Sequence, residues 1–379
     1  MLHKYFNDLK LEFRGYNSQK LMKDAMAGLT VAAVALPLAL AFGVSSGASA
    51  ASGLLTAIIS GIAISIFGGA FYQISGPTGA MAAILMSIIA QYGLQGVFIA
   101  TFMAGIMLVL AGVLRLGRLT AFIPMPVITG FTSGIAIVIA LGQIDNFFGV
   151  SSVGGTAVEK LGSYFVYGFS PDWMSFAIGA AAVLIMLFFP KKWSNIVPSS
   201  LIAIIAATAV SMLFSLDITS VGTVPSTFLL ADRLSFADMS FSDLQSFLMP
   251  AFSIAALCMV ESLLCGASAG RMTGVKLDSD RELIAQGIGN ILAPLFGGIP
   301  ATAAIARTSV AVKSGAQTRL AGVFHAVVLL ISMLLLGPVM SHIPLSALAG
   351  VLMVTAWRMN DWSMIKYIFS KHFNGAIFK

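Results

Sequence analysis

From Ala25 to Leu114 the chain contains not one Asp, Glu, Lys, Arg or His. Such a stretch is several times the roughly 20 apolar residues needed to cross a bilayer once, and a soluble domain could not carry it without exposing large apolar patches. The apolar runs are continuous and do not alternate, so the spanning elements are helices and not barrel strands. The remainder agrees: 58% of the 379 residues are hydrophobic, 9% are charged, and the mean hydropathy is +0.95. This is the composition of an integral membrane protein.

Glycines, prolines and polar loops divide the chain into spans near 25–43, 53–68, 75–91, 94–114, 121–147, 174–190, 199–216, 250–270, 283–297, 301–315, 320–340 and 345–358. That pattern predicts an all-α polytopic fold of about twelve transmembrane helices. Lys10, Arg14, Lys20 and Lys23 precede span 1, and Arg115 with Arg118, Lys191 with Lys192, and Arg271 with Lys276 and Arg281 follow spans 4, 6 and 8. Lys313 and Arg319 follow span 10, and Arg358, Lys366 and Lys371 follow span 12. All fall on one side, which the positive-inside rule makes cytoplasmic. The opposite loops carry Glu159 and Asp172, then Asp217, Asp232, Asp238 and Asp243. Both termini are therefore expected in the cytoplasm of a multi-pass protein of the inner membrane. The pI of about 9.4 reflects membrane-flanking loops that face lipid headgroups and implies no nucleic-acid partner.

Several features carry no chemistry. "ASA" at 48–50 imitates a signal-peptide cleavage site, but the apolar run before it is too long and the hydrophobic chain continues beyond it. Cys258 and Cys265 lie seven apart on one expected helix, too far along the axis for a disulfide. His325, a lone histidine near Arg319, reads as a structural polar group more readily than as a proton relay. Catalytic and phosphate-loop patterns are missing, and no metal or cofactor is expected, so the chain is read as no enzyme. The segment 1–23 suits either an interfacial or a solvated helix, and "SFADMSFSDLQSF" at 235–247 suits a short amphipathic surface helix.

Internal symmetry points to transport. "GASA" occurs at 47–50 and again at 266–269, and "FGG" follows each, at 67–69 and 296–298. A proline then opens an apolar helix in both copies: "SGPTGAMAAIL" from Ser75 and "GGIPATAAIAR" from Gly297. The copies begin on opposite sides of the membrane, which makes the repeat inverted. Pro77 and Pro300 suit the first helical position, and small residues before them allow each helix to start inside the membrane. Two half-helix N-termini meeting near the midplane would aim free N–H groups and positive dipole ends at one spot. Such a spot attracts an anion.

Arg307 sits in an otherwise hydrocarbon-like run, where a guanidinium at mid-membrane costs about 3 kcal/mol or more. Counted from Pro300 it lies two turns into the half-helix, with Ala303, Ala304 and Ala311 on its face. It either pairs structurally with Glu261, the only acid of span 8, or supplies positive field to the anion site while Glu261 carries a coupling proton. Glu261 shares a polar stripe with Cys258, Cys265 and Ser268.

At this point a family resemblance is evident. "DAMAGLTVAAVALPLALAFGVSSG" at 24–47, "SGPTGAMAAIL" at 75–85, "IPMPVITGFTSGIAI" at 123–137, "ESLLCGASAGRMTG" at 261–274, "ELIAQGIGNILAPLFGGIPATAAIAR" at 282–307 and "IPLSALAGVLMVTAW" at 343–357 resemble the SulP anion transporters. The "ESLLC" and "ATAAIAR" segments are most similar to bacterial proton-coupled C4-dicarboxylate members. The resemblance implies a seven-plus-seven inverted repeat of the UraA-like fold, with half-helices 3 and 10 meeting at the midplane. It implies a cytoplasmic segment 1–23, core parts at 24–118 and 250–340, a gate part at 119–216, an outer loop at 217–249, and at 341–379 the start of the second gate part with a short tail. The substrate, a small inorganic or organic anion, would sit at Gly76, Pro77 and Thr78 and at Thr302, Ala303 and Ala304. Arg307 and Glu261 match the family's helix 10 arginine and helix 8 acid. Sodium-coupled bicarbonate members carry Asp in helix 8 and lack the arginine, so this pair implies symport with a proton and no other cofactor. The family continues with two more spans and a STAS domain, whereas this sequence stops at Lys379, so a homodimer inherited from the family is left open. Sulfate or bicarbonate transport, a nucleobase transporter of the same fold, and a non-transporting remnant are the alternatives.

Overall fold

The computed structural model describes residues 2–70, 72–117, 125–154, 157–190, 193, 197–235, 243–360, 362–363 and 365–366. The loop charges Arg118, Lys191, Lys192, Asp238 and Lys371, the residues 121–124 of span 5, and 236–242 of the expected surface helix lie outside these.

The chain opens with α1 (Leu2–Glu12), then the long α2 (Ser18–Ser45) and α3 (Ala50–Phe67), each begun by a side chain that accepts a first-turn N–H: Asn17 from Lys20 and Ser49 from Ser52. A two-residue strand β1 (Ser75–Gly76) precedes α4 (Gly79–Val113). As one straight rod α4 would measure about 52 Å, far beyond the roughly 30 Å of hydrocarbon. Gly93, at φ 68° and ψ −176°, breaks it into arms 79–92 and 94–113, which are spans 3 and 4 of the sequence pattern.

Next come α5 (Met125–Gly142), α6 (Ile144–Phe148), α7 (Ala157–Tyr167), α8 (Trp173–Phe188) and α9 (Ser199–Leu213). The amphipathic α7 was not expected: its 11 residues are too short to span, and its apolar Val158, Phe165 and Val166 are exposed. The second half holds α10 (Leu248–Thr273), α11 (Ser279–Leu295), strand β2 (Thr302–Ala303), α12 (Ile305–Lys313), α13 (Leu320–Met340) and α14 (Leu345–Met359).

Packing reproduces the inverted repeat read from "GASA" and "FGG". The contact of α2 with α13 has its counterpart in α10 with α4, and that of α4 with α11 in α13 with α3. The α4–α11 crossing is tight because glycines meet: a Cβ on Gly287 would stand 2.6 Å from the Gly105 carbonyl oxygen. Such small-residue contacts let membrane helices approach backbone to backbone. A second set, α5, α6, α8, α9 and α14, packs mainly within itself, α14 against α8, α5 and α6, and touches the first through α2 and α4.

At the basic face, α1 is tied down firmly. Arg281 donates to the Gly68 carbonyl (3.0 and 2.7 Å) and Arg319 to the Ile66 carbonyl (2.6 Å), satisfying the free C-terminal end of α3. Asp8 and Glu12 of α1 then neutralise the two guanidinium groups, each at 2.8 Å. The Tyr5 ring lies 5.0 Å from one guanidinium carbon and 5.7 Å from the other. Arg281 and Arg319, counted in the sequence as loop charges, are therefore buried structural groups. At the opposite face the segment after α9 folds back on the bundle, with Leu230 N–H donating to the Phe296 carbonyl (3.2 Å) and Leu234 N–H to Pro294 (2.9 Å).

Candidate functional site

The two extended segments meet in the interior as an antiparallel pair, Ser75 opposite Ala303 and Gly76 opposite Thr302. Irregular backbone at this depth must have its polar groups satisfied by protein, and it does. Thr56 of α3 accepts the Ile299 N–H (2.7 Å), and its one hydroxyl proton is shared between the Ser52 carbonyl of its own helix (2.7 Å) and the Ile299 carbonyl (2.9 Å). Asn290 of α11 donates to the Ala301 carbonyl and accepts the Ala301 N–H, at 2.9 Å each way. Ser262 of α10 contacts the Thr302 hydroxyl (2.9 Å) and accepts from Ala303 N–H (3.3 Å), and the Ile74 N–H donates to Thr308 (3.0 Å).

From this pair the half-helices depart. Thr78 is the N-cap of α4, accepting from Met81 N–H, and its hydroxyl donates to Glu261 Oε2 at 2.9 Å. Ala304 is the N-cap of α12 and offers no side chain to cap it. The prolines thus do not occupy first helical positions: Pro77 and Pro300 lie in the extended segments, and the paired residues Thr302 and Ala303 come between Pro300 and α12. Arg307 accordingly sits in the first turn of α12, not two turns in, and only Ala311, one turn on, shares its helical face; Ala303 is in the strand. Nearer the helix start, the guanidinium adds its charge to the positive dipole end.

Arg307 is 1% exposed. Its Nη2 donates to the Pro77 carbonyl at 2.8 Å, while Nη1 is buried without a hydrogen-bond acceptor. No N–O approach within 4.0 Å joins it to Glu261, so the structural ion pair is not formed. Gly76 makes room for this arrangement, since a Cβ there would stand 2.6 Å from Nη1. The α4 end of the site is covered: a Cβ on Gly79 would meet Ile139 of α5 at 2.0 Å and Phe42 of α2 at 3.0 Å. The α12 end is more open, with Ala304 half-buried and Ile305 and Ala306 exposed.

All eight residues singled out in the sequence, Gly76, Pro77, Thr78, Glu261, Thr302, Ala303, Ala304 and Arg307, converge on this crossover. The polar stripe of α10 faces it too, although Ser262, not Ser268, reaches the strands. Sequence reasoning missed Thr56 of α3 and Ser262 of α10, and also Gln286 and Asn290, whose four-residue spacing on α11 was the available signal. His325 is fully buried with neither ring nitrogen bonded, and both cysteines are free. A cavity of about 700 Å³ lies elsewhere, beneath α1, walled by Glu12, Tyr72, Asp280 and Arg281 among others. No cluster of His, Cys, Asp and Glu suited to a metal occurs among the described residues.

Inverted repeats with two half-helices facing each other define a secondary-carrier fold, and two solved structures share it. The transmembrane domain of a cyanobacterial bicarbonate transporter, BicA, superposes with TM-score 0.87 at 32% identity, covering 96% of this chain and 92% of that one. SLC26A9 shares the fold with TM-score 0.83 at 19% identity, over 96% of this chain and 62% of that one. The sequence matches the Sulfate permease family over residues 21–377, and the chain belongs to that family of membrane transporters. The Bacillus subtilis protein YvdB, whose name assigns it provisionally to sulfate transport, is 43% identical over 92% of this chain and 66% of its own length. The Picosynechococcus bicarbonate transporter BicA is 33% identical over 94% of this chain and 64% of its own. The chain thus spans about two thirds of the length of these relatives.

Proposed function

We propose that the protein carries a small inorganic oxyanion across the membrane by alternating access. The anion would be held between the first turns of α4 and α12, against Gly76, Pro77, Thr78, Thr302, Ala303 and Ala304, with Arg307 beside it. One observation carries this reading: Arg307 Nη1 is a buried charged donor with no protein acceptor, between two helix N-termini that favour negative charge. Sulfate and bicarbonate, the substrates named for the relatives above, fit this better than a C4-dicarboxylate, for whose second carboxylate no ion-pairing cation is seen beside Arg307 among the described residues.

Glu261 would carry the coupling proton, because its carboxylate shares the Thr78 hydroxyl with the end of α4 that faces the anion. The bundle of α2–α4 and α10–α13 would move as the core against α5–α9 and α14, the basic face being cytoplasmic and the membrane the inner one.

Equilibrium binding of radiolabelled sulfate to the purified protein, with bicarbonate and succinate as competitors at two pH values, tests the proposal. Saturable binding is expected, tighter at lower pH, displaced better by bicarbonate than by succinate, and lost in Arg307→Ala. Arg307→Lys keeps the charge but not the fork of donors, and should bind weakly. Glu261→Gln should keep binding and lose its pH dependence. Unaltered binding by Arg307→Ala would overturn the site, and unaltered pH dependence in Glu261→Gln would overturn the proton role.

A further inference from the structure

Glu282, Gln286 and Asn290 recur every four residues along α11, so they share one helical face. All three are fully buried. Asn290 holds both backbone groups of Ala301, as described above. Gln286 Nε2 donates to the Ser75 hydroxyl at 3.0 Å and to Glu282 Oε1 at 2.8 Å. Glu282 Oε2 accepts from Gly69 N–H at 3.0 Å and Ala70 N–H at 3.2 Å. The carboxylate thus meets three donors and no cation within 4.0 Å. One face of one helix grips the approach to β1, β1 itself and the approach to β2.

We propose that these three residues form a positioning ladder that sets the register of the two extended segments against each other, and that Glu282 governs anion affinity through Gln286 and Ser75 without touching the anion. The second half rests on the anion reading above. Two anchors on one rigid helix leave the strands no freedom to slide: Ser75 is fixed from Gln286, Ala301 from Asn290, and a slip of a single residue would reverse every side chain of a strand. The pairing of Ser75 with Ala303 in turn fixes the Pro77 carbonyl relative to Arg307. Glu282 is the end of the ladder that keeps Gln286 oriented, because its Oε1 takes one amide proton and leaves the other for Ser75. A plain structural role, filling space below α3, would be served as well by an isosteric amide. The ladder is not, since a glutamine at 282 turns an N–H against either the Gly69–Ala70 donors or the Gln286 amide, which could answer only by reversing itself and giving up the Cys258 thiol that its Oε1 accepts from.

The test uses Glu282→Gln and the exchanged pair Glu282→Gln with Gln286→Glu. In the pair, the amide at 282 can donate to the carboxylate at 286, which accepts from the Ser75 hydroxyl. Two readings are taken: amide hydrogen exchange over 69–78 and 299–308, and the sulfate dissociation constant. Glu282→Gln should speed exchange in both segments, including 299–304, which Glu282 does not touch, and weaken sulfate binding about tenfold. The exchanged pair should recover both. Unchanged exchange and affinity in Glu282→Gln, or an exchanged pair no better than the single variant, would overturn the ladder. If Glu282→Gln does not fold, Gln286→Leu, which leaves Glu282 on Gly69 and Ala70, gives the same two readings. If the native protein binds no sulfate, the anion reading fails while the exchange measurements still decide the ladder.

Discussion

A methyl group on Gly76 tests the geometry of Arg307 more sharply than removing the arginine. An added Cβ would stand 2.6 Å from Arg307 Nη1 and 3.3 Å from the Ala57 Cα and Cβ atoms. Ala57 belongs to α3 and is fully buried, so it cannot give way, and the guanidinium has to retreat by about 1 Å to regain ordinary contact distance. That retreat breaks the 2.8 Å bond from Nη2 to the Pro77 carbonyl and shifts Nη1 away from β1. A hydrogen bond from a charged donor is worth about 1.5 to 3 kcal/mol, so Gly76→Ala should weaken sulfate binding by roughly 10- to 100-fold. Gly76 also stands at φ 157°, a backbone conformation that L residues rarely adopt, so Gly76→Ala adds backbone strain of about 1 to 3 kcal/mol, and melting temperature in detergent should fall together with affinity. Gly134→Ala, on α5 with nothing within 4 Å of its added Cβ, is the control and should bind as the native protein does. Native affinity in Gly76→Ala would refute the placement of Arg307.

Thr56→Val, equal in size, strands the buried Ile299 N–H, and should destabilise the protein by about 1 to 3 kcal/mol with faster amide exchange near Ile299; an unchanged melting temperature would show that the hydroxyl is dispensable. Asp172 caps α8 by accepting from Met174 and Ser175 N–H, so Asp172→Ala should cost about 1 kcal/mol. Hydrogen bonds from Ser175, its hydroxyl first and its N–H next, hold the Asp172 carboxyl below its ordinary 3.8. Because the folded value is the lower one, the cap's stabilisation is present above 3.8 and is lost as pH falls through the depressed value. Melting scans down to strongly acidic pH should show that loss in the native protein and not in Asp172→Ala.

How much of this was legible beforehand follows from what each signal measures. Hydropathy reports the solvent around a segment, so the twelve spans were readable to within several residues, and the repeat was readable because "GASA" and "FGG" recur in order. Hydropathy is silent on whether an apolar segment inside the membrane is helix or strand. Pro300 looked like a helix start for that reason, yet the extended segment runs on through Ala303 because Asn290, Thr56 and Ser262 offer the backbone the partners a helix would have supplied. The positive-inside count had the same blindness: it weighs Arg281 and Arg319 as loop charges, whereas the structure spends them on the carbonyls that end α3. The convergence of Arg307, Thr78 and Glu261 was readable because burying charge in hydrocarbon demands a reason. Glu282 carries the same demand but stands at the edge of its span, where sequence alone cannot tell a buried carboxylate from a solvated helix start. Depth in the membrane, which only the packed helices define, separates the residues that could be found from those that could not.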